Sequence, residues 1–345
     1  MIILTGDRPT GRLHLGHYVG SLISRLDYQN SKDCELFIMI ADLQALTDNS
    51  HNPQKIITSV HDVTLDYLSV GIDPNKTNIC IQSQIPAIYE LPMFFSNLVT
   101  ISRLERNPTL KSEIKQKNFN ESVPVGFFTY PISQAADILA FNSPIIPVGE
   151  DQLPVIEQTR EIARSFNRTY NTALFVEPKG IVPKNEKSRR LIGIDGNSKM
   201  SKSLNNGIYL SDTKEKVTKK VMSMYTDPNH INISDPGKIE GNVVFYYLDV
   251  FSNDSHFDKY LPDYKNLDEL KKHYQNGGLG DVKIKRFLIN ILEELLEPIR
   301  EKRKYYEANP QIVKEILEKG TKEAVEISNQ ILVKAKKIIG LNYFN

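Results

Sequence analysis

The residues best equipped for chemistry lie near the start of the chain, in GDRPTGRLHLGHYVGSL, which runs from Gly6 to Leu22. Gly6, Gly11, Gly16 and Gly20 recur at intervals of five, five and four, with His14 and His17 three apart among them. A glycine-rich turn feeding a helix suits a phosphate. Bare backbone lets a nucleotide come close, and a helix N-terminus offers unpaired N–H groups at the positive end of its dipole. The spacing is neither G-x-G-x-x-G nor the P-loop pattern. Alone, the two imidazoles read as packing at a helix start or as a weak metal pair with no third ligand arranged nearby.

A second stretch, DGNSKMSKSLNN (Asp195 to Asn206), places Lys199 and Lys202 three apart with Ser201 and Ser203 interleaved. Gly196, Asn205 and Asn206 mark it as a mobile loop. Two ammonium groups there suit a polyphosphate that must be held and then released. A lysine-rich loop by itself is commonly just solvated, but HLGH followed far downstream by KMSKS is a joint signal that neither gives alone.

Such groups need a frame. MIILTG, CELFIMIADLQALT (Cys34 to Thr47), TNICIQSQ (Thr77 to Gln84) and SPIIPVGEDQLP (Ser143 to Pro154) contain nearly continuous apolar runs, the mark of strands buried on both faces. Between the second and third, Ile56, Val60, Val63 and Tyr67 recur at helical spacing. The strand–helix–strand rhythm predicts a parallel α/β sheet with right-handed crossovers. From Val282 the chain becomes helical: Ile284, Phe287, Leu288, Ile291, Leu292, Leu295, Leu296 and Ile299 form one apolar face. Pro298 is expected to kink or end that helix, and Pro310 to open another. Lysine and arginine runs decorate this half, each most simply a solvated face.

Composition narrows the setting. The chain has 345 residues, 43 basic and 42 acidic, a formal net charge of +1, and no tryptophan. That balance neither demands nor excludes nucleic acid. Two distant cysteines, Cys34 and Cys80, argue against a disulfide framework or a cysteine metal site and fit a reducing cytoplasm. No signal-peptide pattern and no membrane-length apolar run is present.

His14-Leu15-Gly16-His17 and Lys199-Met200-Ser201-Lys202-Ser203 resemble the two signatures of the class I aminoacyl-tRNA synthetases. Within that class the chain looks like the tryptophanyl branch, through GDRPTG, YPISQAADIL (Tyr130 to Leu139) and PVGEDQ (Pro147 to Gln152), with AADIL separating it from tyrosyl relatives. The resemblance covers essentially the whole chain. It implies a Rossmann-like parallel-sheet catalytic domain over residues 1–209 and an all-α anticodon-binding domain over 210–345. It further implies a cytoplasmic homodimer without a membrane segment, whose substrates are ATP, L-tryptophan and tRNA(Trp), with Mg²⁺ carried on the ATP phosphates rather than in a protein cage. Amino-acid carboxylate would attack the α-phosphorus, and a ribose hydroxyl of the tRNA 3′ end, usually the 2′-OH in this class, would then take the acyl group.

The same resemblance assigns roles. His14, His17, Lys199 and Lys202 would stabilise phosphoryl charge. Arg8, Pro9, Thr10, Gly16, His17, Gly149, Glu150, Asp151, Leu191, Lys199, Met200, Ser201, Lys202 and Ser203 would hold ATP. Asp137 would accept the indole N–H, a donor-only group, so that substrates lacking it leave a buried acceptor unpaired. Tyr130, Gln134, Gln152, Leu4 and Gln44 would form the rest of the tryptophan pocket, with Ile138 and Val148 as apolar wall. The chain departs from the commoner pattern at Arg8, Leu4 and Gln44, where many members carry glutamine, an aromatic and histidine. Arg8 is expected to bind phosphate or to pair with Asp7 or Asp42. Basic clusters at Lys283–Arg286 and Arg300–Lys304 are compatible with tRNA phosphates, and Leu91–Leu104 reads as core or dimer interface. Rival readings are a tyrosyl-tRNA synthetase, a small-molecule nucleotidyltransferase, which would not need the helical half, and a catalytically silent paralogue.

Overall fold

Five short strands, β1 (Ile2–Asp7), β2 (Glu35–Ile40), β3 (Thr77–Ile81), β4 (Ile145–Pro147) and β5 (Lys179–Ile181), form one parallel sheet in the order β3-β2-β1-β4-β5. This computed structural model describes residues 1–119, 122–182, 191–202 and 204–344. The first four strands lie in the apolar runs. β5 is a three-residue KGI segment whose composition carries no strand signal. Ile3, Leu36, Phe37, Ile38, Ile40, Ile79 and Cys80 are almost fully buried, as a sheet covered on both faces requires. Helix Tyr130–Ala140 shares a core with Phe37, Met39 and Cys80, while helices Ile23–Gln29, Leu153–Thr169 and Pro310–Ile339 pack on β2, β5 and β3.

The order reverses between β1 and β4, and there the sheet is loosely closed: the register joins only Ile3 to Ile145. The Ser143 hydroxyl substitutes for ladder bonds, accepting from the Leu4 N–H at 3.2 Å and lying 2.9 Å from the Ile2 carbonyl. Crevices at such a switch point, outside the carboxyl ends of the strands, are where open α/β sheets bind ligands. Gly6 stands at that end of β1, where a Cβ would strike the Met39 carbonyl. Next to it Asp7 is tied to the buried Arg25 at 2.6 Å and to the Tyr67 hydroxyl at 2.7 Å.

The described residues fall into two compact units. One comprises Met1–Gly11, Ile23–Pro183 and Tyr306–Asn345; the other comprises Arg12–Leu22 and Lys184–Tyr305. The sheet belongs to the first, and so does the last helix, Pro310–Ile339, which lies along β3. Gly320 permits that approach, since a Cβ there would run into the Ile79 backbone, and the Thr321 hydroxyl accepts from the Ile81 N–H at 3.1 Å.

The second unit holds the HLGH turn, the KMSKS loop and helices Lys214–Met222, Val243–Phe251, Asp254–Tyr260, Leu267–Asn276 and Asp281–Ala308. The last of these does not end at Pro298. Pro298 and Glu294, whose carbonyl loses its N–H donor, are both solvent-exposed, so water can satisfy that carbonyl. No helix among the described residues is long and apolar enough to cross a membrane.

Candidate active site

In the second unit the two signatures are zipped together by backbone. The Leu15 N–H donates to the Ile208 carbonyl at 2.9 Å and the Leu210 N–H to the Leu13 carbonyl at 3.0 Å. His14 thereby pairs antiparallel with Tyr209, just beyond the KMSKS loop. Met200 is buried, and a Cβ added at Gly207 or Gly16 would meet its side chain, so it packs the loop against the turn. Lys220 pins the same strand from below, donating to the Gly207 carbonyl and to Asp212 at 2.7 and 2.6 Å.

His14 is the N-cap of the turn Leu15–His17. Its Nδ1 accepts from the Gly16 N–H at 3.1 Å, and His17 Nδ1 accepts from the His14 N–H at 3.3 Å. This reciprocal cap assigns the tautomers: with Nδ1 accepting, each neutral ring carries its proton on Nε2 as a donor. It also uses one nitrogen of each ring, which disfavours a metal pair. Burial, then His17, Lys202 and Lys199, hold the His14 pKa down to about 2. All four residues therefore act in one electrostatic neighbourhood, and His14 works as a neutral donor. A π-helical turn, Tyr18–Leu22, follows directly.

Asn206 organises the loop. Its Oδ1 accepts from the Ser201 N–H at 2.8 Å, and its amide reaches Asp195 at 3.2 Å and Ser198 at 3.1 Å. Leu191 is buried at the loop's entry, its carbonyl accepting from the Met200 N–H. Lys199 is exposed, while Ser201 and Lys202 are half-buried; Ser203 lies outside the described residues. The sequence marked Asn206 only as a flank.

In the first unit, Asp137 and Tyr130 project from helix Tyr130–Ala140 and are buried, with Gln134 half-buried on the same helix. Gln82 donates to both Asp137 oxygens at 2.8 Å and accepts from the Gln44 N–H at 3.1 Å. Burial, opposed by Gln82 and reinforced by Asp42, lifts the Asp137 pKa to about 7. Sequence reasoning missed Gln82. The Tyr130 hydroxyl is buried beside Glu113, and burial together with Glu113 raises its pKa. Glu113, itself pushed up by burial, shares this corner with Arg8, Asp151 and Gln152. Leu4 belongs to the core beside Phe37 and Phe141.

Arg8 pairs with neither Asp7 nor Asp42. It meets the buried carboxylate of Asp48, which also takes Lys117. Burial opposes ionisation of Asp48, but Lys117 and Arg8 outweigh it and keep its carboxyl below the ordinary range. Asp7 is occupied by Arg25, and Asp42 accepts from the Leu43 and Ser83 N–H groups. Pro9 is buried and Thr10 half-buried. Gly149, Glu150 and Asp151 are exposed at the end of β4. Val148 donates to the Ile181 carbonyl, and Ile138 is buried.

The downstream basic clusters are partly engaged within the fold, with Arg286, Lys302 and Lys304 exposed. Lys285 is buried and donates to the Met222 and Met224 carbonyls at 2.9 Å, capping helix Lys214–Met222. Arg300 is paired with Glu293, and Arg303 is buried. Lys283 pairs with Asp263, and Arg286 is exposed. Leu91–Leu104 divides: Leu91, Phe95 and Leu104 are core, whereas Met93 and Ile101 are 68% and 69% exposed. No group of three or more His, Cys, Asp or Glu among the described residues is placed to hold a metal ion.

The family model "tRNA synthetases class I (W and Y)" matches residues 1–297. The chain therefore belongs to the class I aminoacyl-tRNA synthetases, in the tryptophanyl and tyrosyl group. Among its relatives are the tryptophan–tRNA ligases of Streptococcus mutans, 58% identical over 343 residues (99% of each chain), and Streptococcus agalactiae, 57% identical over 343 residues (99% of this chain, 98% of that one). It is also similar to the tryptophanyl-tRNA synthetase of Campylobacter jejuni solved with ADP and tryptophan. That structure is 31% identical, with a TM-score of 0.85 covering 99% of this chain and all of that one.

Proposed function

We infer that this chain activates L-tryptophan with ATP and transfers it to the 3′ end of tRNA(Trp). The observation that carries the nucleotide chemistry is the joining of His14, His17, Lys199 and Lys202 into one neighbourhood by backbone pairing between the HLGH turn and the strand after the loop. Full-length relatives at 57–58% identity that act on tryptophan favour that amino acid over tyrosine.

Tryptophan carboxylate oxygen forms a bond to the α-phosphorus as the bond to pyrophosphate breaks. A tRNA ribose hydroxyl then attacks the acyl carbon and AMP leaves. In our reading the Nε2–H groups of His14 and His17 and the ammonium groups of Lys199 and Lys202 meet charge developing on phosphoryl oxygens, which is positioning and electrostatic stabilisation without a covalent enzyme intermediate. Gly16, Leu191, Met200 and Gly149–Asp151 would border the nucleotide, with Glu150 and Asp151 suited to ribose hydroxyls. Mg²⁺ carried on the ATP phosphates would neutralise their charge. Asp137 is the acceptor for the indole N–H, and the Tyr130 hydroxyl beside Glu113 faces the substrate's ammonium. Residues 210–345 would serve anticodon binding, and the exposed Met93 and Ile101 a homodimer contact.

ATP–pyrophosphate exchange with purified protein and Mg²⁺, run separately with tryptophan and tyrosine, tests the reading. Exchange with tryptophan alone is expected. Tyrosine alone would retain the chemistry and remove Asp137's indole role, and silence with both would favour the silent paralogue.

A further inference from the structure

The Asp137 carboxylate does not stand alone. Gln82, 1% exposed in the short 3₁₀ turn after β3, sets its amide nitrogen astride that carboxylate, 2.8 Å from each oxygen. The orientation of this amide is forced. Its other end, Oε1, meets the Gln44 backbone N–H at 3.1 Å, and a backbone N–H can only donate. The oxygen must therefore face Gln44, leaving the NH₂ for Asp137. One buried side chain thus links the start of helix Asp42–Leu46 to helix Tyr130–Ala140.

We propose that Gln82 is a positioning residue for amino-acid selection: its amide fixes the Asp137 carboxylate in the orientation from which it accepts the substrate's indole N–H. This rests on the reading of Asp137 as that acceptor. A carboxylate offers about four lone-pair directions, so the donated amide leaves room for the ligand. The titratable groups that bear on Asp137 are Asp42, which disfavours its charge, and Cys80, whose buried thiol stays protonated. Gln82 opposes both burial and Asp42, so it also favours the ionised form of the acceptor. Gln44 takes part here through its backbone N–H, so a change of side chain at that position leaves the link to Gln82 intact.

The test is ATP–pyrophosphate exchange with the full chain from about pH 5.5 to about pH 9, because KM against pH reports groups that must be in one protonation state. In the wild type the tryptophan KM rises as pH falls through about 7, where Asp137 takes up its proton. Gln82→Met keeps the volume and removes the donor. It is expected to raise the tryptophan KM roughly tenfold at neutral pH and to move the rise to higher pH, with the ATP KM within about twofold. Gln82→Glu is expected to reverse the trend, tryptophan binding worsening as pH rises, because two facing carboxylates need a shared proton. A merely structural role would alter neither midpoint nor sign. If Asp137→Ala raises the tryptophan KM while both Gln82 variants keep the wild-type KM and pH profile, the proposal is overturned and the pocket reading stands. If Asp137→Ala also leaves KM unchanged, the pocket reading falls and takes the proposal with it.

Discussion

The corner around Asp137, which we read as the amino-acid pocket, and the HLGH and KMSKS signatures, which we read as the nucleotide site, are built in opposite ways. Around Asp137 a charge is buried and fixed by one side-chain amide, with its pKa displaced to about 7. Around His14 the framework is backbone, two ladder bonds and a reciprocal cap, with Lys199 exposed and Lys202 half-buried. A site that must refuse near-miss substrates uses a desolvated, prepaired acceptor, because an unmatched partner there costs about 1–3 kcal/mol. A site read as binding and then releasing pyrophosphate instead holds its histidines and lysines on a backbone frame, with Lys199 exposed.

The largest effect should come from the nucleotide side. Lys202→Ala is expected to slow tryptophan-dependent exchange about 10²–10³-fold while the tryptophan KM stays within about threefold. Weak tryptophan binding with normal turnover would contradict the division of labour. On the other side, Asp137→Ala is expected to raise the tryptophan KM about 10- to 100-fold with little change in kcat. An unchanged KM would erase the contrast.

The third test concerns stability. A carboxyl whose native pKa lies above its unfolded value binds more protons folded than unfolded, so stability falls as pH rises between the two. For Asp137 the window runs from its ordinary 3.8 to about 7. Asp137→Asn should therefore gain on the wild type across that window and level off above it, by on the order of 2–4 kcal/mol. Urea denaturation at several pH values checks this, and a pH-independent difference would mean that the carboxylate is not strained by burial. The smallest effect is expected at Gly320→Ala. The new Cβ meets fixed backbone of Ile79, so overpacking of about 1–3 kcal/mol outweighs roughly 1 kcal/mol of gained helix propensity. A raised Tm would show that the last helix sits further from β3.

Much of this was legible in the chain. Continuous apolar runs marked β1 to β4, Pro310 marked the last helix, and the spaced histidines and lysines marked both signatures. What stayed hidden were bonds closed across long separations. Gln82 and Asp137 are 55 residues apart, and Arg8 and Asp48 are 40 apart. A buried amide among apolar neighbours leaves no periodic trace. Lys285 was misleading for a related reason. In KIKR it reads as surface charge, yet its helix phase turns it inward onto the open carbonyls of helix Lys214–Met222. Pro298 failed as a helix stop because its exposed position lets water replace the bond it removes.

Thr321 and Ile81 meet although 240 residues separate them. On a ribosome adding about 5–20 residues per second, β3 would wait roughly 12–48 s before the helix that covers it emerges. Until then its edge has open N–H and C=O groups able to recruit another nascent strand. The final helix is in this sense a late-arriving guard for the sheet. Truncating it should show first as aggregation during synthesis, before any loss of catalytic competence in molecules that escape.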